Sequence, residues 1–321
     1  MKKRCLFLLL IECLMTIYCC QPKDLQIIQL WGSFYMDDRK IVMGENGNGI
    51  AISLSDSTIC FTRDGGHKWS EPISLGPYRY CWTFEYVPKC TIKNDDAYLF
   101  LATSEDYRIL GPYRAGQHLA KFNFNELELT LTDEKFQNPK EIHATESLVV
   151  GIVGDGHIIE FDHELSNVNE FDISGCLSLV PYKDGYCAVQ LENQSYKLLY
   201  YLNGNTTKVD LDIGYYKGSL FCSKNNILFI FCRNHEGESV ILRIDDQWSS
   251  VEVYQNFERR LYCSSFSCGD AFFVTTFNML SHNRNLIYSL DGGNTWSVME
   301  KLPYLAAARH NMAYYDGKLF Y

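Results

Sequence analysis

The sequence predicts an all-β protein, a β-propeller of repeated multi-stranded blades, and three observations predict it. No stretch sustains a helical hydrophobic period. Short apolar runs recur after turn-forming residues, with onsets near residues 41, 97, 147, 186, 227, 271 and 318. A repeat of about 40–50 residues holding several strands is the spacing of a propeller blade. Finally, one eight-residue pattern occurs twice, at Thr62–Trp69 (TRDGGHKW) and at Ser289–Trp296 (SLDGGNTW).

In chain order, residues 1–20 read as an export signal. Lys2, Lys3 and Arg4 precede an apolar run, Cys5–Ile11 and Leu14–Tyr18, broken by Glu12. That run is too short and too interrupted for a membrane-spanning helix. It ends in Cys19-Cys20, ahead of polar Gln21-Pro22-Lys23-Asp24, and resembles a bacterial lipoprotein signal. The resemblance implies lipid attachment at Cys19 or Cys20 and a place in the cell envelope; ordinary secretion is the alternative. Residues 21–321 then form a single propeller domain.

Each later run has the same grammar. Lys40–Glu45 follows Asp37-Asp38, Ala97–Thr103 follows Asn94-Asp95-Asp96, and Ser147–Val153 leads through Asp155-Gly156 to a second run. Tyr186–Leu191 follows Asp184-Gly185, Ile227–Cys232 follows Asn225-Asn226, and Ala271–Phe277 follows Gly269-Asp270. Asp, Asn and Gly supply the tight turns, and the 14% aromatic content favours strands. Six intervals predict six blades. A seventh unit begins at Ala306 and stops after Lys318–Tyr321, so it is incomplete or closed by N-terminal strands such as Leu25–Leu30.

The repeated pattern is hydroxyl, any, Asp, any, Gly, any, any, Trp. Asp64 and Asp291 can bond nearby backbone N–H groups, Gly66 and Gly293 accept positive φ, and Trp69 and Trp296 can fold back over the turn. With Thr62 and Ser289, these residues resemble the Asp-boxes, or BNR repeats, of β-propellers such as sialidases and the photosystem II assembly factors. In that superfamily the box staples a blade and stays away from the active site. Met43–Ile50 (MGENGNGI) followed by the box at Thr62 is also similar to the first blade of the assembly-factor propellers. Those are binding proteins without catalytic residues.

Composition and motifs narrow the function. A net charge of −10 with no basic stripe excludes a phosphate-backbone reader. The nine cysteines after Cys20 contain no CxxC pair, and the eight histidines show no HxH or HExxH spacing, so neither a metal nor a cofactor is indicated. Cys81/Cys90, Cys222/Cys232 and Cys263/Cys268 are near enough in sequence to pair, but most cysteines sit in apolar runs and read as buried thiols. A sialidase needs three arginines around a carboxylate, the first in an Arg-Ile-Pro motif on the opening strand; here that strand reads Leu30-Trp31-Gly32-Ser33-Phe34. Arg309, at the start of a late blade, is the arginine best placed for the channel, and Glu126 with Glu128 is the best strand-face acid pair, expected to meet solvent. The sequence therefore favours an exported, non-catalytic propeller that binds a protein or glycan. The alternative is a divergent sialidase-like glycoside hydrolase.

Overall fold

A computed structural model describes residues 25–28, 39–53, 56–80, 90–110, 115–202, 205–245, 248, 251–257, 260–278, 283–300, 302 and 312–320. The strands form a β-propeller of six full blades plus a smaller sheet that completes the circle. β1 (Gln26–Ile28) belongs to that last sheet. Blade 1 is β2 (Arg39–Met43), β3 (Gly49–Ser53), β4 (Thr58–Thr62) and β5 (Ile73–Ser74). Blade 2 is β6 (Tyr78–Tyr80), β7 (Thr91–Lys93), β8 (Asp96–Thr103), β9 (Gln117–Asn123) and β10 (Leu129–Leu131). Its innermost position is split: β6 pairs with the end of β8 and β7 with its beginning.

Blade 3 comprises β11 (Glu141–Ala144), β12 (Val149–Val153), β13 (His157–Phe161) and β14 (Asn167–Asp172). Blade 4 comprises β15 (Cys176–Tyr182), β16 (Gly185–Glu192), β17 (Ser195–Leu202) and β18 (Asn205–Leu211). Blade 5 is β19 (Tyr215–Cys222), β20 (Leu228–Arg233), β21 (Ser239–Ile244) and β22 (Val251–Phe257). Blade 6 is β23 (Arg260–Cys268), β24 (Ala271–Asn278), β25 (Arg284–Ser289) and β26 (Ser297–Met299). The hairpin of β27 (Ala313–Tyr315) and β28 (Lys318–Phe320) receives β1, which runs parallel to β28 with Gln26 opposite Lys318 and Ile28 opposite Phe320. The unit that the sequence leaves unfinished is thus closed by a strand from the other end of the described chain.

The innermost strands touch in a closed circle: β2 meets β7, β7 meets β11, then β15, β19, β23 and β27 follow, and β27 returns to β2. The core is divided in the same way. The seven larger buried clusters each lie between two successive sheets, as with Ile50 and Ile52 of blade 1 against Leu99 and Phe122 of blade 2. On the other face of blade 1, Ala51 and Cys60 meet Ala313 and Phe320. Successive side chains in a strand point to opposite faces, so a sheet covered on both sides needs uninterrupted apolar residues. β3 and β12 are buried at every position for this reason, while the peripheral β14 is exposed along most of its length.

Among the described residues, one helix departs from the all-strand expectation. α1 (Ser104–Leu110) follows β8, and Thr103 Oγ1 caps it by accepting the Asp106 N–H at 3.1 Å. Glu105 and Asp106 suit its first turn and Arg108 its last. Seven residues are too few to display a hydrophobic period, so the sequence pattern missed it. Among the described residues, Cys90, Cys222, Cys232 and Cys268 are free thiols, which leaves none of the three sequence-adjacent pairs bridged. Burial pushes these four up to about 12, leaving little thiolate for exchange.

Closure through Phe320, 1% exposed between the last sheet and blade 1, has a measurable consequence. Phe320→Ala is expected to lower the unfolding free energy by about 3–5 kcal/mol. Val168→Ala, on the solvent side of β14 where Val168 is 55% exposed, is expected to stay within about 0.5 kcal/mol. Urea unfolding of both variants measures the difference.

Candidate functional site

The two repeated segments form the connections between the third and fourth strands of blades 1 and 6. In the first, Thr62 Oγ1 donates to Asp64 Oδ1 at 2.8 Å and accepts the Gly66 N–H at 3.1 Å, while Asp64 Oδ1 accepts the Lys68 N–H at 3.0 Å. In the second, Ser289 Oγ donates to Asp291 Oδ1 at 2.8 Å and accepts the Gly293 N–H at 2.8 Å. Asp291 also accepts from the Thr295 N–H and hydroxyl, and Trp296 Nε1 donates to the Gly293 carbonyl at 3.1 Å. Each turn is tied to the first hairpin of its own blade, through Gly65 N–H to Gly47 O and Gly292 N–H to Asp270 O.

Both turns press on the preceding sheet. A Cβ on Gly66 would fall 2.7 Å from the Phe320 ring, and one on Gly293 would fall 2.3 Å from the Phe229 ring. Trp296 packs edge-on against Phe229 and stacks with Phe272. Trp69 is partly buried beside Tyr315 and Phe320 in the corresponding place. None of Thr62, Asp64, Gly66, Trp69, Ser289, Asp291, Gly293 and Trp296 lines the central channel.

The channel instead opens where the innermost strands end, in a cavity of about 940 Å³. Its wall is mixed: Ile92, Ile142, Val180, Leu220, Phe266 and Met312 of the inter-blade clusters adjoin it, and polar Lys40, Thr91, His143, Thr145 and Ser265 line it as well. Its charged lining groups are Lys40, Lys93, Lys183 and Lys224 with Glu45, Glu146 and Asp184, so both signs are present with one lysine more than carboxylates. Lys93 pairs with Glu146 between blades 2 and 3 and, by hydrogen bonding, holds that carboxyl below its ordinary range. Lys224 of blade 5 pairs with Glu45 of blade 1 at 2.8 Å, and this hydrogen bond raises the Lys224 ammonium. Glu45 reaches across at Gly269 of blade 6, where a Cβ would sit 3.2 Å from its carboxyl carbon. Such exposed pairs shape the mouth more than they stabilise the fold.

Deeper in the wall, Glu141 on β11 accepts the Ser178 hydroxyl at 3.1 Å and the Leu179 N–H at 2.9 Å, both from β15. His143, two residues on and lining the cavity, has Nε2 3.4 Å from the same carboxylate. A Glu-x-His spacing on a strand puts both side chains on one face, a signal present in the sequence but lost among unremarkable histidines. Among the described residues there is no cluster of His, Cys, Asp and Glu able to hold a metal, and the cavity lining contains no arginine. Glu126 and Glu128 are exposed beyond β9 and lie away from the cavity. Arg309, Cys19, Cys20 and Leu30–Phe34 lie outside the described residues.

No protein-family model and no curated protein matches the sequence. Similar solved structures include the β-propeller domain of the Trilobed protease from Pyrococcus furiosus, with an open velcro topology (TM-score 0.57, 12% identity, 81% of this chain and 83% of that one). YCF48 bound to D1 peptide gives a TM-score of 0.51 at 13% identity over 92% of each chain. The Nidogen/Laminin complex gives 0.50 at 10% identity over 83% of this chain and 94% of that one. At such identities the likeness shows the fold, a β-propeller.

The turns make two predictions. The buried rings of Phe221, Phe272 and Trp296 hem in Phe229, so Gly293→Ala is expected to destabilise by about 3 kcal/mol. Gly237→Ala, also at positive φ but with open space around it, should lose only about 1 kcal/mol in the same urea titration. The second concerns pH. The Lys68 N–H and Thr62 hydroxyl hold Asp64 below the ordinary carboxylate range. Partial burial raises Asp291, but the bonds from Thr295 and Ser289 outweigh it and leave the carboxyl lowered. Their contribution is complete above about pH 4 and is lost as pH falls through the folded-state values. His157 has the opposite sign, raised by its hydrogen bond to Asp172, so its contribution is complete below about pH 6.5 and lost as pH rises through the folded value. Asp64→Asn/Asp291→Asn should flatten the acid limb of a stability–pH curve, and His157→Gln the limb above neutrality.

Proposed function

We propose that this chain is an exported, non-catalytic β-propeller that binds a segment of a protein partner at the channel mouth. The observation that carries this reading is the mouth itself: a cavity of about 940 Å³ with a mixed polar and apolar lining and charges of both signs around it. A cavity of that size and lining suits a short stretch of polypeptide, whose backbone is polar but uncharged and whose side chains supply apolar groups and charges of both signs. Two of the similar structures point the same way, being a propeller bound to a peptide and a complex between proteins. The sialidase-like alternative needs guanidinium groups around a carboxylate, and the described lining offers lysines instead.

In this reading residues 21–321 are one domain, and the segments at Thr62 and Ser289 are Asp-box staples that hold blades together. Residues 1–20 direct the chain to the envelope, with Cys19 or Cys20 as the lipid-bearing residue. Mass spectrometry of the mature N-terminus tests that part, since lipid anchoring requires a diacylglyceryl cysteine as the first residue.

Binding is tested with peptides selected from a displayed random library on the full chain. Lys93→Glu/Lys224→Glu is expected to weaken the selected peptides at least tenfold, and Lys208→Glu, on the outer strand of blade 4, to leave them unchanged. Indifference to the rim reversal would sink the channel reading. Capture on a glycan array without peptide binding would make the ligand a sugar. Hydrolysis of fluorogenic sialosides that disappears with a channel-facing acid would make the protein an enzyme.

A further inference from the structure

We infer that the outer edge of blade 3 is a second docking surface, separate from the channel, which adds an extended basic segment of a partner protein as a further strand. One observation is charge. From Glu141 to Asp172 the chain holds eight Asp and Glu residues and no lysine or arginine. Blade 4 beside it, Cys176 to Leu211, holds three lysines against three carboxylates. Blade 2 lends two lysines, Lys93 to Glu146 and Lys121 to Glu164. On β14, the cation that Glu170 and Asp172 have among the described residues is His157, with Nε2 3.2 Å from Glu170 and Nδ1 2.8 Å from Asp172. One imidazolium offsets one carboxylate of the two. This end of the blade therefore stays negative, with Asp155 exposed in the turn before His157.

The other observation is the strand edge. Among the described residues β14 is the last strand of its sheet, exposed from Asn167 to Glu170 and at Asp172. The Ile173 N–H donates to the Gly156 carbonyl at 2.9 Å, and His157 stands opposite Asp172. Antiparallel pairing alternates, so Asn169 and Phe171 turn their backbone groups toward β13, while Glu170 and Asp172 turn theirs outward. Among the described residues those outward N–H and C=O groups have no partner. The edge is held in place, because Phe171 stacks on Tyr201 of blade 4 with ring centres 4.2 Å apart. Its one bulge lies at the start of the strand, by Phe161 and Asn167, and leaves Asn169–Asp172 regular. The other long edges are blunted: β22 bulges in mid-strand, and β18 carries Lys208.

A strand laid along β14 pairs its backbone with these groups. Its side chains opposite Glu170 and Asp172 fall within cross-strand reach, where lysine or arginine is favoured and an acid is repelled. The same repulsion disfavours a second copy of this chain, since antiparallel pairing about Phe171 would set Glu170 beside Asp172 of the copy. The net charge of −10 draws a basic partner from a distance.

The test uses the full chain at physiological salt with a capped peptide of alternating lysine and threonine, and its counterpart with glutamate for lysine. The lysine peptide is expected to bind and the glutamate peptide to fail. Glu170→Lys/Asp172→Lys should weaken the lysine peptide about tenfold, and Glu126→Lys/Glu128→Lys, the same charge change elsewhere, should leave it within about twofold. Glu170→Gln/Asp172→Asn should lose part of the affinity, and serves if the lysine variant fails to fold. Hydrogen exchange read by NMR should show the Glu170 and Asp172 amides slowing at saturation, which contact through side chains alone would not produce. No binding of the lysine peptide, equal loss in the two charge-reversed pairs, or unchanged exchange of those amides would overturn the inference. Weakening by Lys93→Glu/Lys224→Glu in place of Glu170→Lys/Asp172→Lys would move the peptide to the channel, overturning this inference and leaving the channel reading intact. Protection of the two amides that grows with chain concentration, without peptide, would overturn it in favour of a second copy.

Discussion

Every sheet in this protein depends on the sheets beside it. A blade has two apolar faces, and neither can be buried by the blade itself, so the large buried clusters belong to pairs of neighbours rather than to single units. The arrangement is satisfied only when the last blade finds the first. A linear stack would leave one face of blade 1 and one of the last sheet in water. Ile41, Ala51 and Cys60 would then be exposed on one side and Ala313 and Phe320 on the other. The parallel pairing of β1 with β28 is the backbone expression of that requirement. It joins residues almost the whole chain apart, and loop-closure entropy rises only slowly with length, so the hydrophobic faces brought together can offset it.

The two aspartate turns act on the same boundaries from the periphery. The side-chain hydrogen bonds of Thr62, Asp64, Ser289 and Asp291 are local, spanning no more than four residues, and the turn glycines let the backbone lie against an aromatic ring of the preceding sheet. They sit at the first and sixth blades, the two that flank the small closing sheet. The turn in blade 1 meets the closing sheet itself through Tyr315 and Phe320, while the turn in blade 6 meets blade 5 through Phe229. The Trp of the second turn is fully integrated into an aromatic stack, whereas the first leaves its Trp more exposed at the rim of its cluster.

A closed ring fixes the innermost strands in one geometry, and that fixity gives the channel its chemistry. Lys93 and Glu146 face each other across adjacent blades, and Glu45 and Lys224 across more distant ones, because the ring sets the span between their turns. Glu141 is placed by two donors of the next blade, so the orientation of His143 depends on how blades 3 and 4 dock. A side chain supported in this way is rigid for the same reason the fold is stable: its supports are core elements rather than loops.

Strand runs, turn residues and their period are local properties, and they were legible in the sequence: six blades, the incomplete seventh unit, and its completion from the N-terminal side. The capped helix after β8 escaped because about two turns have no measurable periodicity, and its signals, Thr103 followed by Glu105 and Asp106, are short. The channel was not legible. His143 carried only a Glu two residues before it, and the value of that pair comes from Ser178 and Leu179, which no spacing rule connects to it. Glu45 and Lys224 are 179 residues apart. Alternation and turn propensity are written along the chain, so composition and order determined the blades. Which side chains converge on the axis is decided by the angle and order in which those blades close, and only the tertiary structure holds that.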